Sequence, residues 1–402
     1  MNETTYVLGA GVNQAIYAID YLASPPLLNN FFQIALSIST YNNAAYTEKI
    51  RDVYAYIFKY WKKNQSDLSR SPFNLEECFT LIESQIQDAN YEAERNDLLR
   101  IQYKLKTFVA EVLYGFSGYA IASRLMKPFG DILFNEKPTI ITFNYDAFIE
   151  SVIEVASRMS SIPNPYVENK RLLFQREISV KEIQYSPFNW KRQLCYGVTF
   201  DEVQLPIGLP VGFRYVEGDQ YYSHKDNKLY PWPILKLHGS LNWFRYAPDL
   251  LGKSRSDYER DLPTDYKNRI ILGGGIWKLN DPPKKNGCPL DPILVTPILY
   301  KKDQFDQELY SKILTPLWQK ALQALSSCKR LVVIGYSFPP TDFHVRKLFL
   351  DAFKRNVLEE LIVVNPDTSV VQTVKSLCHF DKPVIACKDL SELINFYLKQ
   401  RK

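Results

Sequence analysis

A chain of 402 residues, 46% of them apolar, is long enough for two or three domains and can bury a large core. Lys and Arg exceed Asp and Glu by 49 to 44, a net charge of +5 without long runs, so direct nucleic-acid binding is not indicated. The absence of any run of about 18 apolar residues and of a basic-then-apolar leader argues against a membrane span and export, and six cysteines without a C-x-x-C pair argue against a structural zinc, so a cytoplasmic protein with reduced thiols and no metal is expected.

The first apolar run, "TYVL" (5–8), leads into Gly9-Ala10-Gly11 and a helix-compatible stretch. A dinucleotide fingerprint would place a third glycine where Gln14 stands, and no acidic residue follows about 20 positions later, so the turn reads either as a phosphate loop or as tight packing. Residues 27–132 change character: "EKIRDVYAYIFKYWKK" and "DLLRIQYKLKTFVAEVLYGFSGYAIASRLM" are compatible with helices and strand signals nearly vanish, which predicts a helical insertion. "TIIT" (139–142) is the next strand, ending in Thr142-Phe143-Asn144-Tyr145-Asp146. Residues 160–230 are rich in proline, tyrosine and short turns and read as a small loop- and β-rich cap.

Further along, "ILKL" (234–237) runs into His238-Gly239, and "PILV" (292–295) is another strand candidate. "LGGGIWK" (272–278) lacks the Lys-Ser or Lys-Thr pair of a Walker loop and reads as a flexible loop, with Lys284-Lys285 and Lys301-Lys302 as solvated charges. Leu314, Trp318, Ala321, Leu322 and Leu325 recur at helical spacing before the strand "LVVI" (331–334). That strand is followed by Gly335-Tyr336-Ser337 and a helix that Thr341 or Asp342 would cap, with His344 on its surface; "LIVV" (361–364) then ends at Asn365. Continuous β-branched runs separated by helices predict an α/β fold, a Rossmann-like parallel sheet with flanking helices. The sheet domain would comprise 1–26 and 133–402, with the cap inside it and 27–132 inserted.

Open α/β sheets bind ligands beyond the carboxyl ends of their strands, which is where Asn144, Asp146 and His238 fall. His238 suits a general base near neutral pH, and it stands out because the chain has only four histidines. The plainer readings are an Asn144 turn, an Asp146 helix cap and a structural histidine.

Taken together and in this order, Gly9-Ala10-Gly11, Thr142-Phe143-Asn144-Tyr145-Asp146, Leu237-His238-Gly239-Ser240, Gly335-Tyr336-Ser337 and Asn365 resemble the motifs of the sirtuin-like NAD-consuming family, in particular its bacterial antiphage-defence branch. The resemblance spans residues 5 to about 390. It implies NAD as substrate, His238 and Asn144 as catalytic residues, and Gly9, Ala10, Gly11, Asn13, Thr142, Asp146, Gly335, Ser337 and Asn365 as the nucleotide-binding set. Asn13 and "QAIYAIDYLASPPLLNN" replace the family's serine and nicotinamide-side segment, Phe143 replaces a polar residue, and the deacetylases' zinc ribbon is absent. Hydrolysis of NAD to nicotinamide and ADP-ribose is therefore the leading expectation. The alternatives are deacylation or ADP-ribosylation of a protein, and a nucleotide-binding regulatory module without turnover. An NAD-depleting effector in defence needs restraint, so the resemblance also implies a homo-oligomer, with the helical insertion as a candidate surface, and a separate HerA-type hexameric ATPase as a partner.

Overall fold

The computed structural model describes residues 3–17, 24–119, 125–158, 190–207, 212–248, 262–273, 284–295, 308–339, 342–355 and 357–400. Its strands, in chain order, are β1 (Thr4–Leu8), β2 (Thr139–Thr142), β3 (Glu202–Ile207), β4 (Gly212–Glu217), β5 (Ile234–Lys236), β6 (Gly239–Tyr246), β7 (Ile271–Leu272), β8 (Lys284–Lys285), β9 (Cys288–Leu294), β10 (Arg330–Ile334), β11 (Glu360–Val364) and β12 (Ile385–Cys387).

Six of these form a parallel sheet in the order β12-β11-β10-β1-β2-β5. Counted within the sheet this is the doubly wound order of dinucleotide-binding folds, with the winding reversing between β1 and β10. The uninterrupted apolar runs read from the sequence are buried on both faces, as a parallel sheet between helices requires. Register then aligns the strand ends. Leu8 pairs with Thr142 on one side and Ile334 on the other, Thr142 pairs with Lys236, and Ile334 pairs with Val364. The loops carrying Gly9, Phe143, Leu237, Gly335 and Asn365 consequently start side by side along one edge.

The second sheet has the order β4-β3-β7-β6-β9-β8 and mixed pairing. It corrects one expectation: the "PILV" run lies in β9, antiparallel to β6, because a short fully buried strand looks the same in either kind of sheet. The β-rich region expected over 160–230 is represented by β3, β4 and a short helix, but its sheet continues through β9 to Leu294; residues 159–189 lie outside the described residues. Only Leu237 and His238 separate β5 from β6, so His238 stands where the chain leaves one sheet and enters the other.

Helix α1 (Gly11–Tyr17) follows β1, and between it and β2 the described residues form helices alone. These are α2 (Phe31–Ser37), α3 (Ala44–Lys49), α4 (Arg51–Trp61), α5 (Gln65–Arg70), α6 (Leu75–Asp88), α7 (Glu92–Tyr119) and α8 (Met126–Glu136). Val53, Tyr56 and Ile57 of α4 and Leu105, Phe108 and Val112 of α7 face inward, around edge-to-face contacts of Phe108 with Phe31 and of Phe32 with Phe73. The amphipathic stretches thus bury their apolar faces in the same continuous core that holds Tyr6, Val7 and Ile140 of the parallel sheet. Gly130 on α8 lets that helix approach α9 (Phe148–Arg158), since a Cβ there would lie 2.7 Å from the Val152 carbonyl.

The remaining helices are α10 (Gly218–Ser223), α11 (Glu308–Ser327), α12 (Phe343–Ala352), α13 (Ser369–Leu377) and α14 (Leu390–Gln400). Among the described residues no helix is long and apolar enough to cross a membrane. All six cysteines are buried and free, and burial pushes the thiols of Cys78 and Cys328 up to about 12, so they act as small apolar fillers.

Candidate active site

At the switch between β1 and β10 two glycine loops interlock. The Gly9 and Gly11 amides donate to the carbonyls of Ile334 (3.0 Å) and Gly335 (2.9 Å), and the Gly335 amide donates to Val364 (3.0 Å). A Cβ on Gly11 would lie 2.7 Å from the Gly335 Cα. Gly335 has φ +62°, and a Cβ there would fall on the backbone of Gly11 and Val12. Of the two readings of this turn, the geometry shows the tight packing. The Gly9 and Gly11 amides expected to face a pyrophosphate are turned into the protein, while Ala10 stands exposed between them. Gly335→Ala should lower stability by about 1–3 kcal/mol through strain and loop separation, read as a fall in the urea midpoint; an unchanged midpoint would contradict this account of the interlock.

Across β1 from this turn, the β2 end builds a compact polar cluster. The Asn144 amide donates to the Gly9 carbonyl (3.1 Å) and to Asn13 Oδ1 (3.4 Å), and Asn13 Nδ2 donates to Asp146 Oδ2 (2.8 Å). Asp146 Oδ1 accepts the Phe148 amide at 2.9 Å, so the cap reading of this carboxylate also holds. The Asn144 amide nitrogen of the main chain donates to Thr142 Oγ1 (3.2 Å), the local turn expected of it. Burial raises the Asp146 carboxyl above the usual range, opposed by the nearby Lys236 charge and the Phe148 hydrogen bond.

Beneath the cluster lies a charge the sequence reading did not single out. Lys236 is the last residue of β5 and fully buried; it donates to the Asp146 carbonyl and lies 3.3 Å from Glu150 Oε1 on α9. Glu150 also accepts the Tyr196 hydroxyl (3.0 Å), Asn242 donates to that hydroxyl (2.8 Å), and Ser240 donates to Asn242 Oδ1 (2.6 Å). Glu150 Oε2 has no hydrogen-bond partner among the described residues. This network ties β2, β5, β6 and α9 together under Asn144 and His238.

His238 is 7% exposed and bounded by aromatic rings, with Phe143 at 5.2 Å and Tyr145 at 6.4 Å between centroids. Its backbone is fixed between the sheets: its carbonyl accepts the Val295 amide (2.9 Å), and Tyr145 donates to the Val295 carbonyl (2.6 Å). Gly239 follows at φ +82°, where a Cβ would run into the Ile293 carbonyl. Phe143, placed where a polar residue was expected by resemblance, stacks on Tyr336 at 4.3 Å and walls the ring on one side. From α12, Asp342 Oδ1 faces His238 Nε2 at 3.7 Å.

Asp342 corrects an expectation. It occupies the N-cap of α12 but makes no side-chain cap hydrogen bond; its carboxylate turns inward and accepts the Tyr336 hydroxyl. Thr341 lies outside the described residues, and His344 is half-buried. Lys285 is corrected too: it pairs with the buried Glu202 and lies over the rings of Tyr215 and Tyr246, so it is no solvated loop charge. Lys301, Lys302 and residues 274–278 of the glycine-rich loop lie outside the described residues.

The structure thus brings Gly9, Asn13, Thr142, Asn144 and Asp146 into one contact cluster, with His238 at the end of the adjoining strand. Gly335, Ser337 and Asn365 lie on the other side of β1. Ser337 is exposed, and Asn365 is half-buried with its Oδ1 accepting the Asp367 amide (2.9 Å). Among the described residues no group of three or more His, Cys, Asp or Glu side chains could hold a metal ion. No protein-family model matches the chain, and no curated protein matches it.

Proposed function

We propose that the chain hydrolyses the nicotinamide–ribose bond of NAD, releasing nicotinamide and ADP-ribose. The single observation that supports this most is the aligned register of β1, β2 and β5, which brings the glycine turn at the sheet's switch point, Asn144 and His238 to neighbouring strand ends along one edge. The motif order resembling the sirtuin-like family supplies the substrate class.

The nicotinamide of NAD is cationic and leaves as a neutral base without a general acid. Departure builds oxocarbenium character at the ribose carbon, so the protein's tasks are positioning, shelter and delivery of water. His238 takes the proton of the attacking water or of a ribose hydroxyl, and the aromatic wall of Phe143 and Tyr145 limits solvent around it. Asn144, fixed by Gly9 and Asn13, orients that water or hydroxyl. With Gly9 and Gly11 donating internally, phosphate contact falls to Ala10 and to Ser337, and Asn365 takes the adenosine side.

Incubation of purified protein with NAD, followed by product separation, tests this. Free nicotinamide and ADP-ribose support hydrolysis, ADP-ribose attached to protein indicates transfer, and intact NAD indicates a regulatory module. A role as an NAD-depleting defence effector, acting as a homo-oligomer with a HerA-type ATPase, belongs to the same proposal.

A further inference from the structure

We propose that Asp342 is the positioning residue of His238, holding its imidazole in one tautomer and stabilising the imidazolium that forms when it accepts a proton. This rests on the reading of His238 as the general base. The two oxygens of Asp342 have separate jobs: Oδ2 accepts the Tyr336 hydroxyl, and Oδ1 faces His238 Nε2 at 3.7 Å. Both partners are sheltered, with Asp342 5% and His238 7% exposed, so the attraction between carboxylate and imidazolium is weakly screened.

The carboxylate is placed by its surroundings. The Asp342 amide donates to the Pro339 carbonyl (3.0 Å), and Arg346, one turn along α12, donates to the Phe338 carbonyl (3.0 Å). Tyr336 is itself clamped by stacking on Phe143, the same ring that bounds His238. A carboxylate on one imidazole nitrogen leaves the lone pair on the other, which is the arrangement a base requires. The separation exceeds a hydrogen bond, and catalytic contacts are often this long in a free enzyme and tighten only in the substrate complex.

Other charged and titratable groups around the histidine are Tyr145 and Tyr336 from the strand ends, Arg346 on α12, and Glu76 in the first turn of α6, which acts electrostatically on both tyrosines. Lys236 and Asp146 lie below. Among the described residues, Asp342 is the one whose carboxylate is seen within 4 Å of the ring. A carboxylate favours the protonated imidazole, so it raises the titration midpoint of His238; its removal lowers that midpoint and moves the acid limb of the rate profile to lower pH.

The test uses the full chain in two measurements. Long-range proton–nitrogen spectra follow the ring nitrogens of His238, assigned by loss of its signal in His238→Ala, across pH in the wild type, Asp342→Asn and Asp342→Glu. Nicotinamide release from NAD is followed across the same pH range. In Asp342→Asn the midpoint should fall by about one unit or more and kcat by about 10²-fold or more, with KM within about threefold. Asp342→Glu should restore much of the midpoint. Should the asparagine variant not fold, Asp342→Ser replaces it with the same expectation. An unchanged midpoint in a folded variant overturns the proposal. A shifted midpoint in a protein whose wild type leaves NAD intact keeps the pair and refutes the hydrolase reading.

Discussion

His238→Ala and Asn144→Ala are each expected to lower NAD cleavage by about 10²–10⁴-fold while the fold and much of the NAD affinity persist. General-base catalysis contributes about this factor, and misplacing a water or ribose hydroxyl costs a similar one. The backbone around each residue is held independently of its side chain: the His238 carbonyl accepts the Val295 amide, and the Phe143 amide donates to the Leu8 carbonyl. Loss of the imidazole opens a small space beside Phe143, and loss of the carboxamide removes bonds to Gly9 and Asn13 at a half-buried position. The check is nicotinamide release per folded molecule, read beside melting temperature and NAD affinity. Near-normal turnover by a folded His238→Ala protein would make His238 structural and place the base elsewhere.

Lys236→Met should cost stability more than any other single change at the site, by about 3–5 kcal/mol, because it leaves the carboxylate of Glu150 fully buried without its nearest cation. Arg192, which interacts electrostatically with Glu150, is paired with Glu154 at 3.1 Å and compensates Glu150 only in part. The Asp146 carbonyl loses its donor as well, loosening the segment that carries Asn144. Urea unfolding measures the loss. Lys236→Met combined with Glu150→Gln should recover a substantial share of it, since the uncompensated charge disappears. A loss below about 1 kcal/mol in the single variant would show that the pair contributes little to stability.

These two residues illustrate what the sequence made legible and what it hid. His238 and Asn144 follow uninterrupted apolar runs, and such runs announce a strand end that a parallel sheet turns into a binding edge. The same signal fails for "PILV", whose fully buried run carries no mark of parallel or antiparallel pairing. The short strand β12 also went unread, since Ile385 and Cys387 flank a single alanine. Lys236 sits inside "ILKL", where a lysine in an apolar run is the visible anomaly, but its partner Glu150 lies 86 positions away and nothing local indicates the pairing. Asp342 was legible as an N-cap by position; the inward turn of its carboxylate depends on Tyr336 and His238, which the fold brings to it from other elements. The glycines were legible as a turn, while the partner loop that takes up two of their amides was visible only once β1 and β10 were paired.

The account stands most directly on where NAD sits, which the crystal structure of the His238→Ala protein soaked with NAD would measure, since that variant should leave the substrate uncleaved. The account predicts the nicotinamide ribose beside Asn144 and the vacated imidazole position, the pyrophosphate near Ala10 and Ser337, and the adenosine toward Asn365. NAD bound on the second sheet or on the helical insertion, or no bound NAD at millimolar concentration, would contradict it.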